Sequence, residues 1–114
     1  MRDESLLSEY YPGIAIVSPG LADGVISRSG GICELCGKRF ASEIHHIAGR
    51  RRKAHAKNLL HLCEDCHKPP HGVHGDAKLN NSVMRKYQEW CFSQGYTEEE
   101  TRYLLGTKSG KLYM

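Results

Sequence analysis

Two short cysteine pairs constrain this chain more than any other feature. "CELC" (Cys33, Cys36) and "CEDC" (Cys63, Cys66) are both C-x2-C units, and 26 residues separate them. Each pair can offer two thiolates to one ion, and together they make a closed tetrahedral zinc site. The separation exceeds that of a short ribbon, so the intervening chain must leave the ion, form structure of its own and return. A thioredoxin-type redox role accounts for one C-x-x-C unit but not for two. A four-cysteine site has no open coordination position and performs no chemistry. Its contribution is stability, which a single small domain of 114 residues needs.

The excursion between the pairs reads as a long-looped β-hairpin. Residues 42–47 form one strand, "NLLHL" (58–62) the other, and a helix begins near Cys66. Ahead of this centre, residues 1–30 are poorly patterned. Ile14 to Val17 is one short β-capable run, and "RSGG" (28–31) reads as a flexible lead into the first cysteines. We expect an N-terminal arm that packs on the core or contacts a substrate. Behind the centre, residues 76–114 form a helical flank. Val83, Met84, Tyr87, Trp90 and Cys91 share one helical face, with Asn81 or Ser82 as the start signal and Gly95 as the stop. A second helix follows, with Thr97 and Glu100 as a capping box and Gly106 at its end. Trp90 and Cys91 read as core residues of this flank, not ligands.

Composition sets the compartment and the charge. Hydrophobic content of 39% fits a globular chain. No run approaches a membrane span, and "MRDESLLSEYY" is too acidic and polar for a signal peptide. A cytosolic location is expected, where cysteines stay reduced and available to metal. The formal charge of +3 is unevenly spread. Between Gly31 and Gly75 there are eight Lys or Arg against four Asp or Glu, which gives +4 and leaves −1 for the flanks. Much of the excess sits in the loop, at Arg50, Arg51, Arg52, Lys53 and Lys57. Such a run is either a solvated loop or a surface that neutralises phosphates.

Seven histidines remain to be placed. In "EIHHIAGRRRK", His45 and His46 are adjacent on the first strand, so their side chains point to opposite faces. They are poor candidates for duplicate ligands of one ion. One on a metal and the other free to move a proton is the more natural division. Asn58 opens the second strand and His67 directly follows Cys66, the last cysteine of the two pairs. His71 lies four residues later, the spacing that puts two side chains on one helical face.

Taken together, "HH…N…HxxxH" and the two C-x2-C units resemble the HNH nuclease family over residues 31–75. The histidine arrangement looks like that of colicin-type nucleases, and the zinc knuckle like that of bacterial and phage members. The resemblance implies an α+β fold: a small ββα-metal (HNH) core with a four-cysteine zinc site, plus the C-terminal helices. It implies a metal-dependent endonuclease that hydrolyses DNA phosphodiester bonds, by nicking or double-strand cutting. His45 and His67 stand at positions of catalytic-metal ligands, His46 at the general base, and Asn58 at the asparagine that holds the hairpin and helps orient that base. His71 or His74 would complete the ligand set, with His71 favoured on spacing although Gly72 and Gly75 weaken a helix there. His55 would be a loop phosphate contact and His61 an outward strand residue. The implied cofactors are structural Zn2+ and a catalytic divalent ion. An imidazole-rich site suits Zn2+, Mn2+, Ni2+ or Co2+ better than Mg2+, which carboxylate-bearing members commonly use. The implied partners are DNA and phage DNA-processing proteins such as a terminase, in a bacterial or phage-infected cell. Two other readings fit the same residues: a non-catalytic zinc module that binds DNA or protein, and an RNase on this fold.

Overall fold

The computed structural model describes residues 3–7, 17–48, 52–106 and 112–113. At its centre, β1 (Glu43–His46) and β2 (Leu59–Leu62) pair antiparallel, with Glu43 opposite Leu62, His45 opposite Leu60 and His46 opposite Leu59. Directly opposed residues in an antiparallel pair share a face. Glu43, His45, Leu60 and Leu62 therefore lie on one side, and Ile44, His46, Leu59 and His61 on the other.

On the second face, α1 (Pro19–Ser29) packs against β2. This helix occupies part of what the sequence suggested was an arm. Ser18 caps its start by accepting from the Leu21 N–H, Pro19 suits the first position, and Gly30 ends it in the left-handed conformation (φ 63°). Its last turn holds Arg28, whose Nε and Nη2 each donate to the Glu34 carboxylate at 2.8 Å. The same guanidinium donates to the carbonyls of Ala56 and Leu59. One side chain thus fastens α1 to the first cysteine pair and to the start of β2. The run 14–16 lies outside the described residues.

The other face of the hairpin meets α2 (Glu64–His67), a single turn, and α3 (Ala77–Ser93), whose Val83, Met84, Tyr87 and Cys91 are buried as the periodicity predicts. The start of α3 differs from expectation. Asp76, not Asn81 or Ser82, caps it by accepting from the Lys78 and Leu79 N–H groups. The asparagines lie inside the helix because an upstream carboxylate takes the free N–H groups first. The following α4 (Glu98–Leu105) has the expected box: Thr97 and Glu100 each accept from the other's backbone N–H, and Gly106 ends it at φ 68°. α3 and α4 pack together, and a 3-10 turn at Glu4–Leu7 closes against α4 with Leu6 buried. The result is an α+β domain with a two-stranded sheet, a cysteine cluster and helices. Among the described residues no helix is long and apolar enough to cross a membrane.

Candidate metal centres

The cysteines converge as their spacing requires. The turn at Cys33–Cys36 is held by the Gly37 N–H donating to the Cys33 carbonyl, and the Ile32–Phe40 bridge brings the chain back. The second pair is delivered by β2 and α2, with Cys63 at the helix cap. All four sulfurs lie within 4.8 Å of one another, and Cys36 Sγ is 4.0 Å from Cys63 Sγ. A tetrahedral ion with thiolates at about 2.3 Å needs sulfurs about 3.8 Å apart, so the cluster can hold a metal ion. The thiols do not ionise alike. Burial opposes the Cys33 thiolate, but the backbone N–H groups around it outweigh burial and bring it down to about 6. Burial, with the neighbouring sulfurs, pushes Cys66 far up. Four thiolates in so small a space need a cation between them. Cys91, as expected, is buried in the helical core away from this group.

A second cluster comes from three histidines. His45, His67 and His74 each bring a ring nitrogen into a group no wider than 4.8 Å. His67 Nε2 and His74 Nε2 are 3.0 Å apart. On its other side His67 Nδ1 is hydrogen-bonded to the Glu43 carboxylate. A carboxylate only accepts, so Nδ1 carries the proton and Nε2 turns its lone pair toward His74 and His45. The hydrogen bond to His67, helped by Lys68 Nζ at 3.3 Å, holds Glu43 below its usual pKa. His45 is 4% exposed, and its Nε2 is buried without a hydrogen-bond partner. Burial, then the nearby histidines, pushes its pKa down to about 4, so it is neutral near pH 7. An orphaned buried nitrogen beside two further imidazoles is a cost that a bound cation would remove. The residues present therefore fit a metal ion.

The Glu43–His67 pair is the carboxylate–histidine arrangement that orients a metal ligand and raises its basicity. Sequence reading gave Glu43 no role, although strand alternation places it on the face of His45. Glu43→Gln is expected to weaken metal binding at the histidine cluster by about 10- to 100-fold, with the cysteine cluster unaffected. Calorimetric titration of zinc-loaded protein checks this, and unchanged affinity would remove Glu43 from the site.

Of His71 and His74, His74 is the one whose ring joins the histidine cluster. α2 ends at His67, so no helix continues to put His71 on its face. Instead the chain folds back: Val73 N–H donates to the Cys66 carbonyl and His74 N–H to the His67 carbonyl. Gly72 permits the turn, since a Cβ there would sit 2.5 Å from backbone carbons of Cys66 and His67. His71 is left exposed and outside the group.

The remaining candidates separate. His46 projects from the opposite face and does not join the cluster, and its Nε2 is shielded from solvent. Asn58 is buried; its side chain accepts from the His55 N–H and donates to the Lys53 carbonyl, while its own carbonyl accepts from the Ile47 N–H. It positions the loop and is not in the histidine cluster. His55 caps the turn before β2 and packs against Trp90 at 5.5 Å. His61, expected to face outward, is 7% exposed under α1, with Nδ1 2.7 Å from Ser29 Oγ. The cover comes from α1, whose weak apolar patterning hides it from a pattern reading but whose caps mark its ends.

Much of the basic loop is also engaged internally. Arg52 donates from Nε to the Tyr103 carbonyl, and its guanidinium lies 4.2 Å from the Tyr103 ring centre. Lys53 Nζ donates to Ser5 Oγ at 2.8 Å. Arg50 and Arg51 lie outside the described residues. Lys57 is exposed at the edge of a cleft. In comparisons with protein-family models, curated proteins and solved structures, nothing matches this chain.

Proposed function

We propose that this protein is a metal-dependent endonuclease of the HNH type that hydrolyses DNA phosphodiester bonds. The observation that carries the reading is the convergence of His45, His67 and His74 around the partnerless His45 Nε2, on a hairpin closed by the cysteine cluster. On this reading zinc at the four cysteines is structural. The three histidines hold the catalytic ion, for which their nitrogen donors favour Zn2+, Mn2+, Co2+ or Ni2+ over Mg2+. A divalent ion bound there supplies electrostatic stabilisation of the phosphoryl group and of the departing 3′ oxygen.

The chain's own residues do the rest. His46 takes a proton from the attacking water as its oxygen bonds to phosphorus and the P–O3′ bond breaks. The products carry a 5′-phosphate and, once the leaving oxygen is protonated, a 3′-hydroxyl. Glu43 keeps His67 in the tautomer a ligand needs. Asn58 keeps the loop after β1 closed, so the strand bearing both histidines stays in register. Lys57 offers a phosphate contact that positions the backbone without reading bases.

One observation favours a second reading. His46 Nε2 is shielded, and Arg52 and Lys53 are occupied within the protein. A zinc-stabilised module that binds DNA or protein without cutting would have no use for an exposed general base, and internally held basic residues would suit a protein partner as well as a nucleic acid. Supercoiled plasmid and a folded RNA, incubated with the protein and each of Mg2+, Mn2+, Co2+, Ni2+ and Zn2+, separate the readings. Conversion of plasmid to nicked or linear DNA with at least one ion is expected. Cleavage of RNA alone makes the protein an RNase, and cleavage of neither makes it a binding module.

A further inference from the structure

A cleft of about 260 Å3 opens where the first cysteine turn, β2 and α3 meet. Its lining combines three chemistries. Leu35 and Leu60 are apolar, Tyr87 and Trp90 are aromatic, and Lys57 and Lys86 are cationic. The two rings stack on each other, 5.8 Å apart and 13° from parallel. The lysines come from different elements, the turn before β2 and α3, and both are exposed. Neither ammonium has an ion-pair partner among the described residues. The acid in the lining, Glu34, is already neutralised by Arg28 and accepts from the His61 N–H, so it offers the lysines little.

Two exposed lysines with no ion-pair partner among the described residues, beside apolar side chains and half-buried Trp90, suit a ligand that is both flat and anionic. The volume lies just below the range of about 300–1,000 Å3 typical of small-molecule sites, which leaves room for one ring system. Position narrows the choice further. Leu60 of the lining is the cross-strand partner of His45, on the same face of the hairpin. The cleft therefore abuts the strand pair that carries a candidate metal ligand.

We propose that this cleft receives one unpaired nucleotide of a nucleic-acid strand. Its base would lie against half-buried Trp90, with buried Tyr87 behind it, and against the apolar lining, and its phosphates against Lys57 and Lys86. This deepens the nuclease reading and rests on it for substrate class: the preferred substrate has a single-stranded or unstacked nucleotide beside the cleavage point. A base inside a duplex is stacked on its neighbours and cannot enter without being extruded. Stacking on aromatic side chains is tolerant of sequence, so no base specificity is implied.

Trp90 is the only tryptophan, so its emission reports on the cleft. The full-length, zinc-loaded protein, with no other divalent ion added, is titrated with a short oligothymidylate. An abasic strand with the same number of phosphates and a duplex of equal length serve as comparisons. The oligothymidylate should change Trp90 emission and bind about five- to tenfold more tightly than the abasic strand. The double variant Lys57→Ala, Lys86→Ala should weaken binding and flatten its salt dependence while its circular dichroism stays unchanged. Equal affinity for oligothymidylate and abasic strand, with Trp90 emission unmoved, overturns the proposal. Plasmid cleavage by the same preparation keeps the two ideas apart. Cleavage without a preference for bases removes the nucleotide site alone. A preference for bases without cleavage under any metal supports the site and removes the nuclease reading.

Discussion

Cys36→Ser or Cys63→Ser is expected to release the structural metal and unfold the centre of the protein. Serine offers a hydroxyl that stays protonated where a thiolate is needed, so one of four ligands is lost outright. Structural zinc sites contribute about 10–16 kcal/mol in small domains, against about 5–15 kcal/mol of net stability for a typical folded protein. Removal of one ligand therefore threatens the whole balance. The apolar core offers limited compensation, because Cys33 and Cys63 are themselves part of it. Elemental analysis and far-ultraviolet circular dichroism of wild type and both variants check this. Wild-type protein that is folded yet free of zinc as purified would refute the structural role.

If the protein is the nuclease proposed above, His46→Ala is expected to reduce cleavage by about 10²- to 10⁴-fold, the usual contribution of a general base. Fold, cysteine-bound metal and nucleic-acid affinity should be nearly unchanged. His45→Ala, His67→Ala and His74→Ala should behave differently. Each removes a candidate ligand, so each should weaken binding of the second ion and regain some activity when that ion is in excess. His46→Ala should gain nothing from added metal. His71→Ala serves as a control, since its ring is exposed and outside the cluster. Cleavage assays and calorimetric metal titrations on the five variants decide the assignment. Full activity in His46→Ala, with metal binding intact, would show that another group moves the proton.

Local signals made part of this structure legible in advance. The cysteine spacing implied a cluster, and the four sulfurs do converge. Thr97, Glu100 and Gly106 marked both ends of α4 because caps and left-handed stops are decided within a few residues. What the sequence hid depended on tertiary context. α1 contains Gly20 and Gly24 and buries only Val25, so it lacks an apolar stripe and owes its place to contacts such as Arg28 with Glu34. The Ser18-Pro19 start and the Gly30 stop were signals that could have found it. Arg52 resembled its neighbours in a basic run, yet the ring and carbonyl that hold it belong to Tyr103, 51 residues away. Spacing alone left His71 slightly ahead of His74, because the fold-back at Gly72 that carries His74 to the cluster depends on backbone contacts a local pattern does not show. The actual use of Gly72 is to let two stretches of backbone touch.

That contact at Gly72 has a thermodynamic consequence. Cys66 and His67 are consecutive, so one peptide unit carries a ligand of the sulfur centre on one side and a candidate ligand of the nitrogen centre on the other. The returning segment of Gly72, Val73 and His74 is hydrogen-bonded to the carbonyls of both residues. Were both centres to bind ions, their occupancies would be reciprocally linked: an ion at the cysteines would fix the frame in which the histidines meet, and an ion at the histidines would stabilise that frame in return. An affinity measured at the histidines would be conditional on the occupancy of the cysteines.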